Sequence, residues 1–222
     1  MLDGMYHRPP WSGKRRISMR SIDYVIALIT AIIMIVGAYQ FYFFCQRHPI
    51  GSPRELSARW DDRLPFWPAW VWVYSGLYYP VILYLVFVQP SFQAFHYTAF
   101  SFLVLLAMQC VVFLLFPVHT PARWRSYDAG QSLSHRMLAF VHRFDKVSNS
   151  MPSMHVSVAT LTGIYLAQAL EPSLGGGAAV AYVFPVLIAL SAIFTKQHYL
   201  ADLIPGVLFG WLAYVISTWM LS

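Results

Sequence analysis

Two short motifs hold the residue types that do covalent chemistry. The first is Thr195-Lys196-Gln197-His198-Tyr199-Leu200-Ala201-Asp202, which lies between two apolar runs and opens the last one. On a helix, His198 and Asp202 stand four residues apart and share a face. Asp202 is then about one turn inside an apolar helix, where a carboxylate costs roughly 2.5–3.5 kcal/mol at the centre of a span and less near its end. Fixing the tautomer and plane of a histidine ring is a reason to tolerate that cost. The plainer reading is a snorkelling His beside a buried Asp that finds some other polar partner. The second motif is Asn149-Ser150-Met151-Pro152-Ser153-Met154-His155. Pro152 suits the first position of a helix, where a missing N–H costs nothing. Free N–H groups at that helix start, helped by the helix dipole, cradle a phosphate. Ser153 adds a hydroxyl donor, and His155 falls just inside the helix. Taken alone, this motif is better explained as an ordinary capped helix start with a hydrogen-bonded His.

Together the motifs supply what phosphoryl transfer requires: a nucleophile, a leaving-group acid and positive charge around the equatorial oxygens. His198, oriented by Asp202, can attack phosphorus and form a phosphohistidine. His155 can protonate the departing oxygen and then activate the acceptor. Lys196 and Arg123, with Arg125 or Lys146, can clamp the oxygens, an Arg doing so in bidentate fashion. Such a site calls for no metal and no cofactor. A zinc reading built on His119, His135 and His142 is weaker, because the eight histidines show no metal-ligand spacing. Cys45 and Cys110 both lie inside apolar runs and imply no disulfide framework.

The elements that must position these residues are membrane helices. The chain of 222 residues is 58% hydrophobic and only 11% charged, against about 25% charged for an average soluble domain. It reads as one all-α integral membrane domain over residues 1–222. A net charge of +6 then speaks of anionic lipid or phosphate rather than nucleic acid, or simply orients the chain. A basic segment, 1–22, precedes a run too long and too uncleavable for a signal peptide. Spans are expected at about 23–45, 66–88, 97–118, 154–170, 178–194 and 199–221, each near the length that crosses a ~30 Å hydrocarbon core. Trp60, Trp67 and Trp70 fit an interface belt. The 117–152 loop is too long for a plain connector, so it is expected to serve the active site; Gln131 to Arg143 fits a short amphipathic helix. Glu171-Pro172 and Gly175-Gly176-Gly177 are expected to break the chain between the fourth and fifth spans.

Counting crossings brings Arg123, His155, His198 and Asp202 to one membrane face. The first basic cluster argues for a cytoplasmic N-terminus, hence a site on the extracytoplasmic face. The remaining Lys and Arg residues lie on the site-bearing side, and a plain count favours the opposite orientation; they are discounted because several suit substrate binding.

Pro152-Ser153-Met154-His155 followed by Lys196-Gln197-His198-Tyr199-Leu200-Ala201-Asp202 resembles the type 2 phosphatidic acid phosphatase superfamily, over roughly 110–215. The resemblance implies a six-helix bundle, with His155 as acid, His198 as nucleophile and Asp202 as the orienting carboxylate. The chain departs from the family pattern in three places. Met154 replaces the usual Gly, Ala192 stands where an Arg phosphate ligand is expected, and the first motif has only His119-Thr120-Pro121-Ala122-Arg123 as a candidate. Lys196 is the expected substitute for the missing Arg. The Lys-Gln-His-Tyr-x-x-Asp form is similar to members near the inositol phosphorylceramide and sphingomyelin synthases. The resemblance thus implies a membrane lipid phosphatase or, alternatively, a lipid phosphotransferase, acting on a lipid phosphate without a cofactor. A non-enzymatic lipid-phosphate transporter is the reading from another class. Neither the lipid nor the oligomeric state is legible.

Overall fold

The computed structural model describes residues 19–56, 59–144 and 148–222. Most of the basic N-terminal segment, Asp145 and Lys146 lie outside the described residues. The α-helices are α1 (Ser21–Arg47), α2 (Tyr78–Val88), α3 (Phe92–Leu115), α4 (Leu133–Phe144), α5 (Met154–Leu174), α6 (Val183–Phe194) and α7 (Leu200–Leu221). Two short strands, β1 (Arg54–Glu55) and β2 (Val118–His119), pair in parallel. Among the described residues the protein is all-α apart from that ribbon.

Among the described residues, five helical stretches are long and apolar enough to cross a membrane: Ser21–Arg47, Pro68–Val88, Phe92–Leu115, Met154–Phe194 and Leu200–Leu221. The sequence leads to six. The difference arises at the Glu171-Pro172 and glycine signals, which were expected to open a loop. Instead, the chain continues from α5 through a 3₁₀ segment, Gly175–Tyr182, into α6, making one helical stretch of 41 residues. It nonetheless doubles back. Gly175 takes a left-handed φ of 51°, which a residue with a side chain adopts only at a cost. A β-carbon on Gly163 would stand 3.3 Å from both the Ala181 carbonyl and the Pro185 ring, so α5 lies directly against the returning limb.

These helices are apolar all round rather than on one stripe, as membrane spans are. Ile22, Val25, Ile29, Ile33 and Val36 of α1, and Ile204, Trp211 and Trp219 of α7, point outward and exposed. α5 is the central element, buried from Val156 through Ala167 apart from Val158. α7 packs on it through Gly206 and Gly210. A β-carbon at 206 would be 3.0 Å from the Ser153 carbonyl, and one at 210 would be 2.4 Å from the Ser157 carbonyl. Small residues four apart let the two backbones touch. That contact brings the start of α7 to the start of α5.

α4 differs from the spans. It is strongly amphipathic, as the sequence suggests for this loop, and lies at the site-bearing end with Trp72 Nε1 donating to Ser134 Oγ at 3.1 Å.

Candidate active site

The connections 48–70, 116–153 and 195–199 are knitted together at one end of the bundle. Ser150 N–H donates to the Val118 carbonyl (2.9 Å), Trp67 N–H to Phe194 (2.8 Å) and Ser153 N–H to Asp202 (3.2 Å). The Tyr199 hydroxyl donates to the His119 carbonyl at 3.0 Å. The Asp61 carboxylate accepts the Leu200 N–H at 2.7 Å, capping α7 from a distant loop.

After α6 the chain makes a tight hook. Gln197 and His198 N–H groups both reach the Ala192 carbonyl, at 2.9 and 3.3 Å. Lys196 turns the hook with a φ of 56°, a left-handed conformation that costs a non-glycine residue about 1–2 kcal/mol. Ala192, where the family pattern has an Arg, is fully buried beneath the hook. The hook buries His198 and aims Nδ1 at two acceptors, the Ser150 carbonyl at 2.8 Å and Asp202 Oδ2 at 3.4 Å. Since both are acceptors, Nδ1 carries a hydrogen, and in the neutral ring Nε2 is then the nitrogen with the lone pair. Asp202 Oδ2 also accepts the Tyr199 N–H at 2.9 Å. His198 precedes α7 rather than sharing it, because α7 starts at Leu200. Asp202 therefore sits in the first turn of its helix, where the dipole favours a negative charge.

The second histidine belongs to α5, which starts at Met154 with Ser153 as its N-cap, so Pro152 precedes the cap instead of opening the helix. Ser153 is buried and its Oγ accepts the Val156 N–H at 3.4 Å. His155 Nδ1 lies 2.9 Å from the Tyr74 hydroxyl. Tyr74 stacks on its ring and Tyr78 lies tilted against it, with centroids 4.1 and 4.7 Å away. Tyr74 lies in a π-helical turn, Trp72–Leu77, a rare geometry that recurs at functional sites. The two imidazole centroids are 6.3 Å apart, and both rings line a cavity of about 340 Å³ with Tyr42, Tyr79, Asn149 and the α4 residue Phe140.

The expected phosphate-binding cations are disposed otherwise. Lys196 Nζ donates to the Asp61 carbonyl and, at 2.9 Å, to the Leu64 carbonyl, and stands over the Trp124 ring. Burial pulls its pKa down, with Asp62 and Asp61 opposing. Arg123 pairs with Asp62 at 2.8 Å and with Glu55 at 3.6 Å; the hydrogen bonds of Arg123 and Trp124 hold the Asp62 carboxyl below its usual range. Arg125 reaches the His142 carbonyl at 3.5 Å. Lys146 lies outside the described residues. Among the described residues, no Lys or Arg lines the cavity. In this structure Lys196 and Arg123 tie loops together, and Ser153 caps a helix. The histidines of the zinc reading are separate: His119 faces Glu55, His135 bonds Ser132, and His142 joins Tyr127 to Gln197.

Four features here escaped the sequence. Tyr74 and Tyr78 flank His155; their four-residue spacing in an apolar run was a usable signal. The Ser150 carbonyl is a backbone group and leaves no trace in residue type. Asn149, which opens the second motif, adopts φ 68° and donates to the Tyr42 carbonyl at 3.2 Å, which places Ser150. His142 reaches Gln197, the neighbour of His198, from α4.

A sequence model of the family described as PAP2 superfamily matches residues 59–216. No curated protein and no solved structure matches the chain. The matched segment holds both histidine motifs and every helix from α2 through most of α7, and the chain belongs to the PAP2 superfamily, the type 2 phosphatidic acid phosphatase superfamily.

Proposed function

We propose that the protein is a membrane lipid phosphatase that works through a phosphohistidine at His198. One observation carries the reading: the two imidazoles face one cavity, 6.3 Å apart. His198 donates through Nδ1, so Nε2 is the free nucleophile. In the tautomer the mechanism uses, the Tyr74 hydroxyl donates to His155 Nδ1 and the His155 N–H is at Nε2. His198 Nε2 attacks phosphorus, the bond from phosphorus to the lipid oxygen breaks, and that oxygen takes the His155 Nε2 proton. His155 then removes a proton from water, which displaces His198 from phosphorus and releases phosphate. Asp202 stabilises the positive charge that develops on His198 during attack.

The phosphoryl oxygens meet the N-terminus of α5, where backbone N–H groups and the helix dipole favour an anion. Met154 and His155, its first two residues, both line the cavity. Tyrosine hydroxyls in the wall add donors. Lys196 and Arg123 hold the loops from which His198 and its partners project. The 154–194 stretch is read as a hairpin of two crossings, giving six in one membrane domain. A basic N-terminus on the cytoplasmic side then puts the site on the extracytoplasmic face.

The test is a panel of lipid phosphates and diphosphates offered to the purified protein, with and without alcohol acceptors, beside His198→Ala. Free phosphate from the wild type alone, with an acid-labile phosphoprotein trapped on rapid quenching, supports the reading. A new phosphodiester without free phosphate makes the protein a phosphotransferase. Unchanged turnover in His198→Ala overturns the assignment.

A further inference from the structure

The geometry points to a hydrocarbon-tail site beneath α1, built partly by a helix that lies outside the segment shared with the family. This assignment rests on the lipid-phosphatase reading of the histidine cavity and says where the rest of that substrate goes. α1 is pinned at two places. Ala27 is buried against Val86 and Phe95 near one end, and Cys45 against Phe113 and Met154 near the other. Between these contacts α1 stands off from the bundle. Ala31, Met34, Ile35 and Ala38 roof a second cavity, of about 110 Å³, whose floor includes Leu85 and Leu105. Among the described residues no charged side chain lines it, and the one carboxamide in its wall, Gln109, is bonded to Ser157.

Three residues, Tyr39, Tyr79 and Met154, line both this slot and the histidine cavity. The two spaces therefore lie side by side and share these residues as a common wall. The hydroxyls of Tyr39 and Tyr79 hydrogen-bond to each other at the junction. This hydroxyl pair thus stands between the chamber holding the imidazoles and an apolar slot running along α1 and α3. Along α1 the slot extends from Tyr39 back to Ala31, roughly 12 Å at the helical rise, and along α3 from Gln109 to Phe95, roughly 21 Å. It opens to the bilayer beside Leu103, which is 49% exposed. A phosphate held between His155 and His198 has to carry its tail out through one wall of the chamber, and this wall has an apolar slot beside it. The slot, about 110 Å³ beside a chamber of about 340 Å³, is assigned to one aliphatic or isoprenoid chain. The family match begins at residue 59, so α1 is a place where this chain sets its own tail preference.

Two measurements test this. The first is photolabelling with hexadecyl phosphate bearing a diazirine at the chain end, on both the wild type and His198→Ala. Cross-links on the slot-facing residues of α1 and α3, competed by unlabelled hexadecyl phosphate, are expected. Labels confined to α4 or to the outer faces of α6 and α7 overturn the site. This experiment needs no turnover, so it stands apart from the phosphatase reading, which fails if the wild type releases no phosphate from any lipid. The second is Ala99→Phe, which fills the slot from α3. The ratio of kcat/KM for hexadecyl over butyl phosphate is expected to fall about tenfold or more, and an unchanged ratio overturns the assignment. Should this variant fail to fold, the labelling pattern of the wild type decides.

Discussion

At the level of single residues, His198 is held through Nδ1 by two partners of unequal closeness. The Ser150 carbonyl, at 2.8 Å, is nearer than Asp202 at 3.4 Å, and no side-chain substitution deletes a carbonyl. In Asp202→Asn the tautomer is therefore retained by Ser150, while the countercharge for the developing imidazolium is lost. We expect kcat to fall about 10²-fold with KM nearly unchanged; steady-state kinetics check this, and an equal loss in KM would mean that Asp202 acts through substrate binding. His155 depends on Tyr74 in the same way. Removing one hydroxyl in Tyr74→Phe leaves the ring contacts and deletes the hydrogen bond, worth about 1 kcal/mol. The expected loss in kcat is roughly fivefold to tenfold for a lipid phosphate and smaller for an aryl phosphate, whose leaving group needs less protonation. The comparison of the two substrates is the readout.

Between elements, the site exists because α7 touches α5. Gly210→Ala would drive a β-carbon to within 2.4 Å of the Ser157 carbonyl and 2.8 Å of Thr160 Cβ, and backbone cannot yield as a flexible side chain can. The helices must part, at a cost of about 1–3 kcal/mol, and His198 then withdraws from His155. Gly37→Ala on α1 is the control, since nothing lies within 4 Å of its added carbon, and replacing a mid-helix Gly is expected to stabilise by about 0.5–1 kcal/mol. Denaturant titration in detergent micelles gives both signs. α4 is fastened by His142, whose Nδ1 meets Tyr127 and whose Nε2 meets the Gln197 amide. Burial, reinforced by Arg125, pushes the His142 imidazole from 6.5 down to about 3. A lowered histidine pKa means that the fold favours the neutral ring. That stability is fully present above pH 6.5 and drains away as pH falls towards 3. Melting curves at pH 7 and pH 4 are expected to separate more for the wild type than for His142→Gln; equal shifts would show that the fastening does not titrate.

On the scale of the whole protein, the connections at one end act as a clasp around paired imidazoles. In the proposed mechanism the nucleophile, the acid and the countercharge are all supplied by side chains, so turnover is expected to survive dialysis against EDTA undiminished. Loss of activity that zinc restores would instead call for ligands that the proposed steps do not use.

Composition and apolar runs were enough to establish a helical membrane protein, because burying a backbone in lipid leaves few alternatives to the helix. Motif spacing pointed to His155, His198 and Asp202, and the fold gathers the three at one end of the bundle. At Lys196 and Arg123 charge alone did not reveal the partners that the fold supplies. A formal cation advertises affinity for phosphate, yet its partner depends on which carbonyls and carboxylates fold beside it, and here these are Asp61, Leu64, Asp62 and Glu55. The glycine signals after α5 foretold a reversal but not its 3₁₀ form, which reflects how closely Gly163 lets the returning limb approach. The Ser150 carbonyl, the Tyr74 hydroxyl and the slot under α1 arise only when distant segments meet, because proximity across the bundle is set by packing and leaves no local mark in the order of residues.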